Sequence, residues 1–113
     1  PSNWTCVAEI KTIQLETRPV DPYSVNIWVI DKDAALYVHA GENRATWVEH
    51  MLDDPTVRVR IEGKLYTLTS TRVTEQAEFD QFADAYEKKY DRRPRSENVK
   101  QAYLFRLSEP TGT

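Results

Sequence analysis

Residues Ala35 to Ile61 read ALYVHAGENRATWVEHMLDDPTVRVRI. Leu36–Ala40 has the apolar, β-branched content of a strand, and Gly41 breaks it. Glu42 or Asn43 can cap a short helix whose apolar face is Ala45, Val48, Met51 and Leu52. Asp53-Asp54-Pro55 stops that helix, because a residue before proline is pushed out of helical geometry. Val57, Val59 and Ile61 then alternate with Arg58 and Arg60, the pattern of a strand with one face buried. The stretch therefore predicts strand, loop, helix, stop and strand, each boundary with a local cause.

Upstream, a strand runs from about Ile10 to Thr17 and ends at Arg18-Pro19. Ser24–Ile30 is the next, apolar on both faces and so expected to be central or covered. The polar turn Asp31-Lys32-Asp33 joins it to Ala35–Ala40 as a hairpin, and the upstream strands are expected to pair with Leu36–Ala40. Downstream, Glu62-Gly63-Lys64 is a second hairpin turn, followed by a strand from Leu65 to about Val73. Thr74 is placed to cap a helix over Glu75–Tyr90, where Phe79, Phe82, Ala83, Tyr86 and Tyr90 form one apolar stripe read as core. Acidic residues open that helix and Lys88-Lys89 close it, which suits the dipole. After the charged loop Asp91–Lys100, Ala102–Leu107 is the last strand. The result is a mainly β chain with two or three helices (α+β). Its six antiparallel strands, joined by short hairpins, are expected to curl into a small barrel, because closure removes exposed edges.

The 113 residues, 40% hydrophobic and 29% charged, fit one globular domain spanning the whole chain. A net charge of -3 argues against a nucleic-acid partner. No apolar run reaches the length of a membrane span, and no signal-peptide pattern opens the chain, so the cytoplasm is the expected compartment. Cys6 stands alone, which excludes an intrachain disulfide and reads as a small buried hydrophobe. His39 and His50 lack metal-ligand spacing, so no metal is expected. Nucleophile elbows, P-loops and dinucleotide fingerprints are absent, which leaves catalytic side chains unassigned.

The densest group of ligand-handling residues is His39, Gly41, Asn43, Arg44, Thr46 and Trp47. Around it, LYVHAGENRATWVEHMLDDPTVRVRIEGKLY (36–66) resembles the flavin-binding split-barrel superfamily, which includes pyridoxamine-phosphate-oxidase-like and deazaflavin-dependent nitroreductase-like proteins. The features that carry the resemblance are Leu36-Tyr37-Val38, Arg44-Ala45, Asp54-Pro55 and Val57–Ile61, and it covers roughly Ile10 to Leu107. It implies a six-stranded antiparallel split β-barrel, an FMN or deazaflavin cofactor, oxidoreductase activity on a small molecule, and a homodimer. By the same resemblance Arg44 would meet the cofactor phosphate, for which its planar fork is suited. Amides around Gly41–Asn43 and the Thr46 turn would add donors at a helix start. Trp28 or Trp47 would flank the ring, His39 would lie nearby, and Arg60 would reach toward the same phosphate. Two other readings stay open. Arg18-Pro19-Val20-Asp21-Pro22 stands where the nitroreductase-like branch has a Gly- and Ser-rich turn, which suits a cofactor-free ligand-binding or interaction module. A haem-binding relative would give His39 a larger part.

Overall fold

The first strand of the protein shows how its sheet is made. β1 (Thr12–Thr17) buries Ile13, Leu15 and Thr17 and turns the alternate residues outward. It pairs antiparallel with β2 (Tyr23–Trp28) on one side and with β5 (Thr56–Ile61) on the other. The structure is a computed structural model, and it describes residues 12–17, 23–32, 35–40, 46–61, 63–92, 99 and 102–108. The remaining elements are β3 (Ile30–Lys32), β4 (Ala35–His39), α1 (Thr46–Asp53), β6 (Lys64–Arg72), α2 (Gln76–Tyr90) and β7 (Leu104–Ser108). The terminal segment with Trp4 and Cys6, the 18–22 connection and the basic cluster beyond Arg92 lie outside the described residues.

The strands form one antiparallel sheet in the order β2-β1-β5-β6-β7-β4-β3. Its two edge strands, β2 and β3, are separated in sequence by Val29 alone. A sheet whose opposite edges are consecutive in the chain must curl until those edges meet, and the result is a split barrel. Six strands were expected and seven are found, because the stretch read as one strand over Ser24–Ile30 is two. The break has a side-chain cause. Val29 N–H donates to the Tyr90 hydroxyl at 3.0 Å, and that hydroxyl donates to the Val29 carbonyl at 2.8 Å. The backbone at Val29 is thus partnered by a helix.

Pairing with β4 also differs from expectation. Of the upstream strands only β3 joins it, with Ile30 opposite Tyr37, while the other neighbour of β4 is β7, with Val38 opposite Phe105. Asp31 and Lys32, read as part of the first hairpin turn, belong to β3, and the rest of that turn lies outside the described residues; the second turn holds at Gly63. Gly63 sits at φ +81° between β5 and β6, where an L side chain would be strained. Asp54 ends α1 and accepts a hydrogen bond from Thr56 N–H at 3.0 Å, an Asx turn that launches β5.

Two apolar cores result. Inside the barrel, Leu15, Leu36, Val38, Val57, Val59 and Leu107 are fully covered, and Trp47, Val48 and Met51 of α1 pack onto them. Leu52, expected on the buried face of α1, is exposed, and Trp47 fills the core instead. The second core lies under α2, where Phe79, Phe82 and Ala83 meet Ile30, Tyr37 and Leu104. Each of the large apolar side chains contributes roughly 1.5–3 kcal/mol on burial. α2 starts one residue later than expected. Its N-cap is Glu75 and not Thr74, and no side-chain hydrogen bond caps it.

Candidate functional site

Strand β4 buries both its faces, and this creates the site. Leu36 and Val38 point into the barrel, so the alternate residues Tyr37 and His39 point outward beneath α2. α2 carries Phe82, Tyr86 and Tyr90 over them at spacings of four, which keeps all three rings on one face. On the third side lies the β2–Val29–β3 seam. Between these walls is a cavity of about 240 Å³, lined by Asn26 to Ile30, Tyr37, His39, Phe82, Tyr86 and Tyr90.

The walls are largely aromatic. Trp28 stacks on Tyr90 with centroids 4.3 Å apart and planes 13° apart. His39 meets Phe82 at 5.4 Å, Phe79 at 5.9 Å and Tyr86 at 6.3 Å. Its Nε2 is buried and has no hydrogen-bond partner among the described residues. Burial lowers the imidazole pKa to about 4, so His39 is neutral at pH 7. Burial also raises the Tyr86 and Tyr90 phenols, as well as that of Tyr37, which additionally donates to the Glu78 carboxylate at 2.6 Å. Among the described residues, no side chain lining the cavity carries a charge at neutral pH.

Charged groups brace the cavity from outside. Arg106 Nη1 donates to the same Glu78 Oε2 at 2.6 Å, linking β7, β4 and α2 through one carboxylate. Burial pushes the Glu78 pKa up, but hydrogen bonds from Tyr37 and Arg106 outweigh it, and the group stays below the usual carboxylate range. Lys89 Nζ donates to the Val29 carbonyl at 2.9 Å, beside the Tyr90 contact.

The residues singled out from sequence are dispersed. Trp28 and His39 come together in the cavity. Thr46 is exposed at the start of α1, Trp47 is buried against Phe105, and Arg60 is exposed on β5. Its neighbour Arg58 is paired with Glu16 of β1. Gly41, Asn43 and Arg44 lie outside the described residues. His50 bonds Thr17 Oγ1 through Nδ1 at 2.9 Å and ties α1 to β1. Among the described residues no group of three or more His, Cys, Asp or Glu could hold a metal, and no helix is long and apolar enough to cross a membrane. Sequence reasoning assigned Phe82, Tyr86 and Tyr90 to the core and missed that they also line a cavity. The available signal was Tyr in place of Phe in the last turns of α2, since a covered phenol hydroxyl needs a partner.

Comparison with known proteins agrees with the architecture. A family model described as "Uncharacterized protein conserved in bacteria (DUF2255)" matches residues 5–104. No curated protein matches the chain. Among solved structures, a proposed 5-nitroimidazole antibiotic resistance protein from Bacteroides thetaiotaomicron superposes with a TM-score of 0.70 at 12% identity, over 89% of this chain and 74% of that one. A proposed pyridoxamine 5′-phosphate oxidase from Listeria innocua gives 0.68 at 12% identity, over 90% and 86%. A FAD-binding protein from Mesorhizobium loti gives 0.65 at 16% identity, over 93% and 85%. At these identities the likeness is one of fold, in keeping with the split barrel that the strand order describes.

Proposed function

The chain belongs to the DUF2255 family, conserved in bacteria, and on that footing we propose that it is a flavin- or deazaflavin-binding oxidoreductase acting on a small molecule. The reading is supported by the fold it shares with the FAD-binding protein and with the pyridoxamine 5′-phosphate oxidase. The observation that carries it to this chain is the exposure of Trp28. One face of the indole rests on Tyr90, yet Trp28 remains 41% exposed, whereas Trp47 is only 7% exposed and committed to the barrel core. Of the two described tryptophans, Trp28 is therefore the one available to flank a ring.

By residue type the donor set would suit a phosphate-bearing cofactor. Arg44 would hold the phosphate with its fork, assisted by the amides of Gly41 and Asn43 and by the Thr46 hydroxyl at the opening of α1. Arg58 is paired with Glu16, so Arg60 is the arginine assigned to reach the same phosphate. A bound flavin supplies the electron and hydride transfer; the protein binds, orients and excludes water. The working unit is a homodimer, with the exposed side of Trp28 available to a second copy.

Titration with FMN, FAD and a deazaflavin, followed by fluorescence, tests this. Uptake at micromolar concentration is expected, weakened roughly 10- to 100-fold in Arg44→Ala, as for loss of a charge-assisted hydrogen bond. Sedimentation should give two copies of the 13.2-kDa chain. A colourless protein that takes up none of the three, with Arg44→Ala unchanged, would leave a cofactor-free ligand binder as the reading.

A further inference from the structure

We infer that the seam cavity under α2 is itself a binding site, for an uncharged molecule of one aromatic ring or two fused rings bearing a hydrogen-bonding group. This goes beyond the cofactor reading and does not rest on it. Size is the first argument. At about 240 Å³ the cavity exceeds the roughly 150 Å³ that holds a benzene ring. It falls short of the roughly 300 Å³ at which pockets for larger ligands begin. A phenol or an indole fits the space; a three-ring flavin does not.

Wall chemistry sets the class. Trp28, Phe82, Tyr86 and Tyr90 present ring faces and edges suited to stacked and edge-on contact with a flat guest. The described side chains of the lining include no cation, and the Lys89 ammonium beside them is bound to the Val29 carbonyl, so an anionic guest would give up hydration with little to replace it. His39 supplies the polar preference. His39 lines the cavity, and among the described residues its Nε2 is buried without a partner, covered by the surrounding rings. A guest that parts those rings satisfies it, and a guest without a polar group cannot. Buried polar groups are ordinarily bonded, so an unpaired one beside a cavity marks where a ligand group belongs.

The test uses the whole chain without added cofactor, so its outcome is separate from flavin uptake. Calorimetric titration with phenol and indole should show saturable binding at or below millimolar concentration, with benzoate about tenfold weaker or undetectable. Amide and indole NMR shifts on phenol addition should cluster on Trp28, His39 and the last two turns of α2. His39→Leu should weaken phenol by about fivefold while leaving toluene unchanged or tighter. Absence of saturable binding, benzoate equal to phenol, or shifts centred on α1 would each overturn the assignment. The NMR map on the unmodified protein decides the matter even where His39→Leu fails to fold.

Discussion

His39 combines the properties that matter most at the scale of single residues. It sits beneath three aromatic rings, and its imidazole pKa falls from 6.5 to about 4 through burial. The unfolded chain takes up a proton as the pH drops below about 6.5, whereas the folded chain resists until about 4. The native state therefore binds fewer protons across that window. The stability associated with a neutral His39 is complete above 6.5 and is lost on the way down to 4, by at most about 3 kcal/mol. Glu78 acts lower: its carboxyl is held below 4.5, so its contribution persists until the pH falls past that value. Urea midpoints at pH 7, 5.5 and 4.5 should decline in the native protein and flatten in His39→Phe. Parallel slopes in the two proteins would remove His39 as the cause.

At the scale of elements, α2 is the piece that turns a sheet with two loose edges into a closed body. Its last residue supplies the hydroxyl that partners Val29, whose side of the seam is 1% exposed. Tyr90→Phe keeps the stack on Trp28 but leaves a buried N–H without its acceptor, at a cost of about 1–2 kcal/mol. Lys89 still serves the Val29 carbonyl, which limits the loss. Tyr86→Phe is the control and should change stability by less than about 0.5 kcal/mol, since it keeps the ring. Denaturant unfolding of both variants measures the difference, and equal costs would mean that the seam is held by ring packing alone.

The two cores make the whole molecule uneven in stability. β5 is paired on both sides and turns Val57, Val59 and Ile61 into the barrel. Among the described residues, α2 is held through Phe79, Phe82 and Ala83, the Tyr37–Glu78–Arg106 link and the Tyr90 and Lys89 contacts to Val29, with no strand pairing of its own. Local opening follows such differences in packing. Amides of α2 should therefore exchange ahead of those of β1 and β5 in native-state hydrogen exchange under mild denaturant. Protection of α2 equal to that of β5 would show that the two cores unfold together.

Much of the fold was legible because its signals are local. The alternation in 57–61, the Asp54-Pro55 stop, Gly63 in its turn and the aromatic stripe of α2 each act over a few residues, and they place strands, helices and turns. Pairing with distant partners is not local. That β4 lies beside β7, and that the stretch 24–30 divides at Val29, depends on which backbone groups meet after the sheet curls. The candidate site divides in the same way. Trp28 and His39 were visible as residue types able to handle a ligand, but the sequence separated them from Tyr86 and Tyr90. Only the wrapping of α2 over the seam brings the four side chains to one cavity, because a cavity is a property of surfaces that the chain joins late.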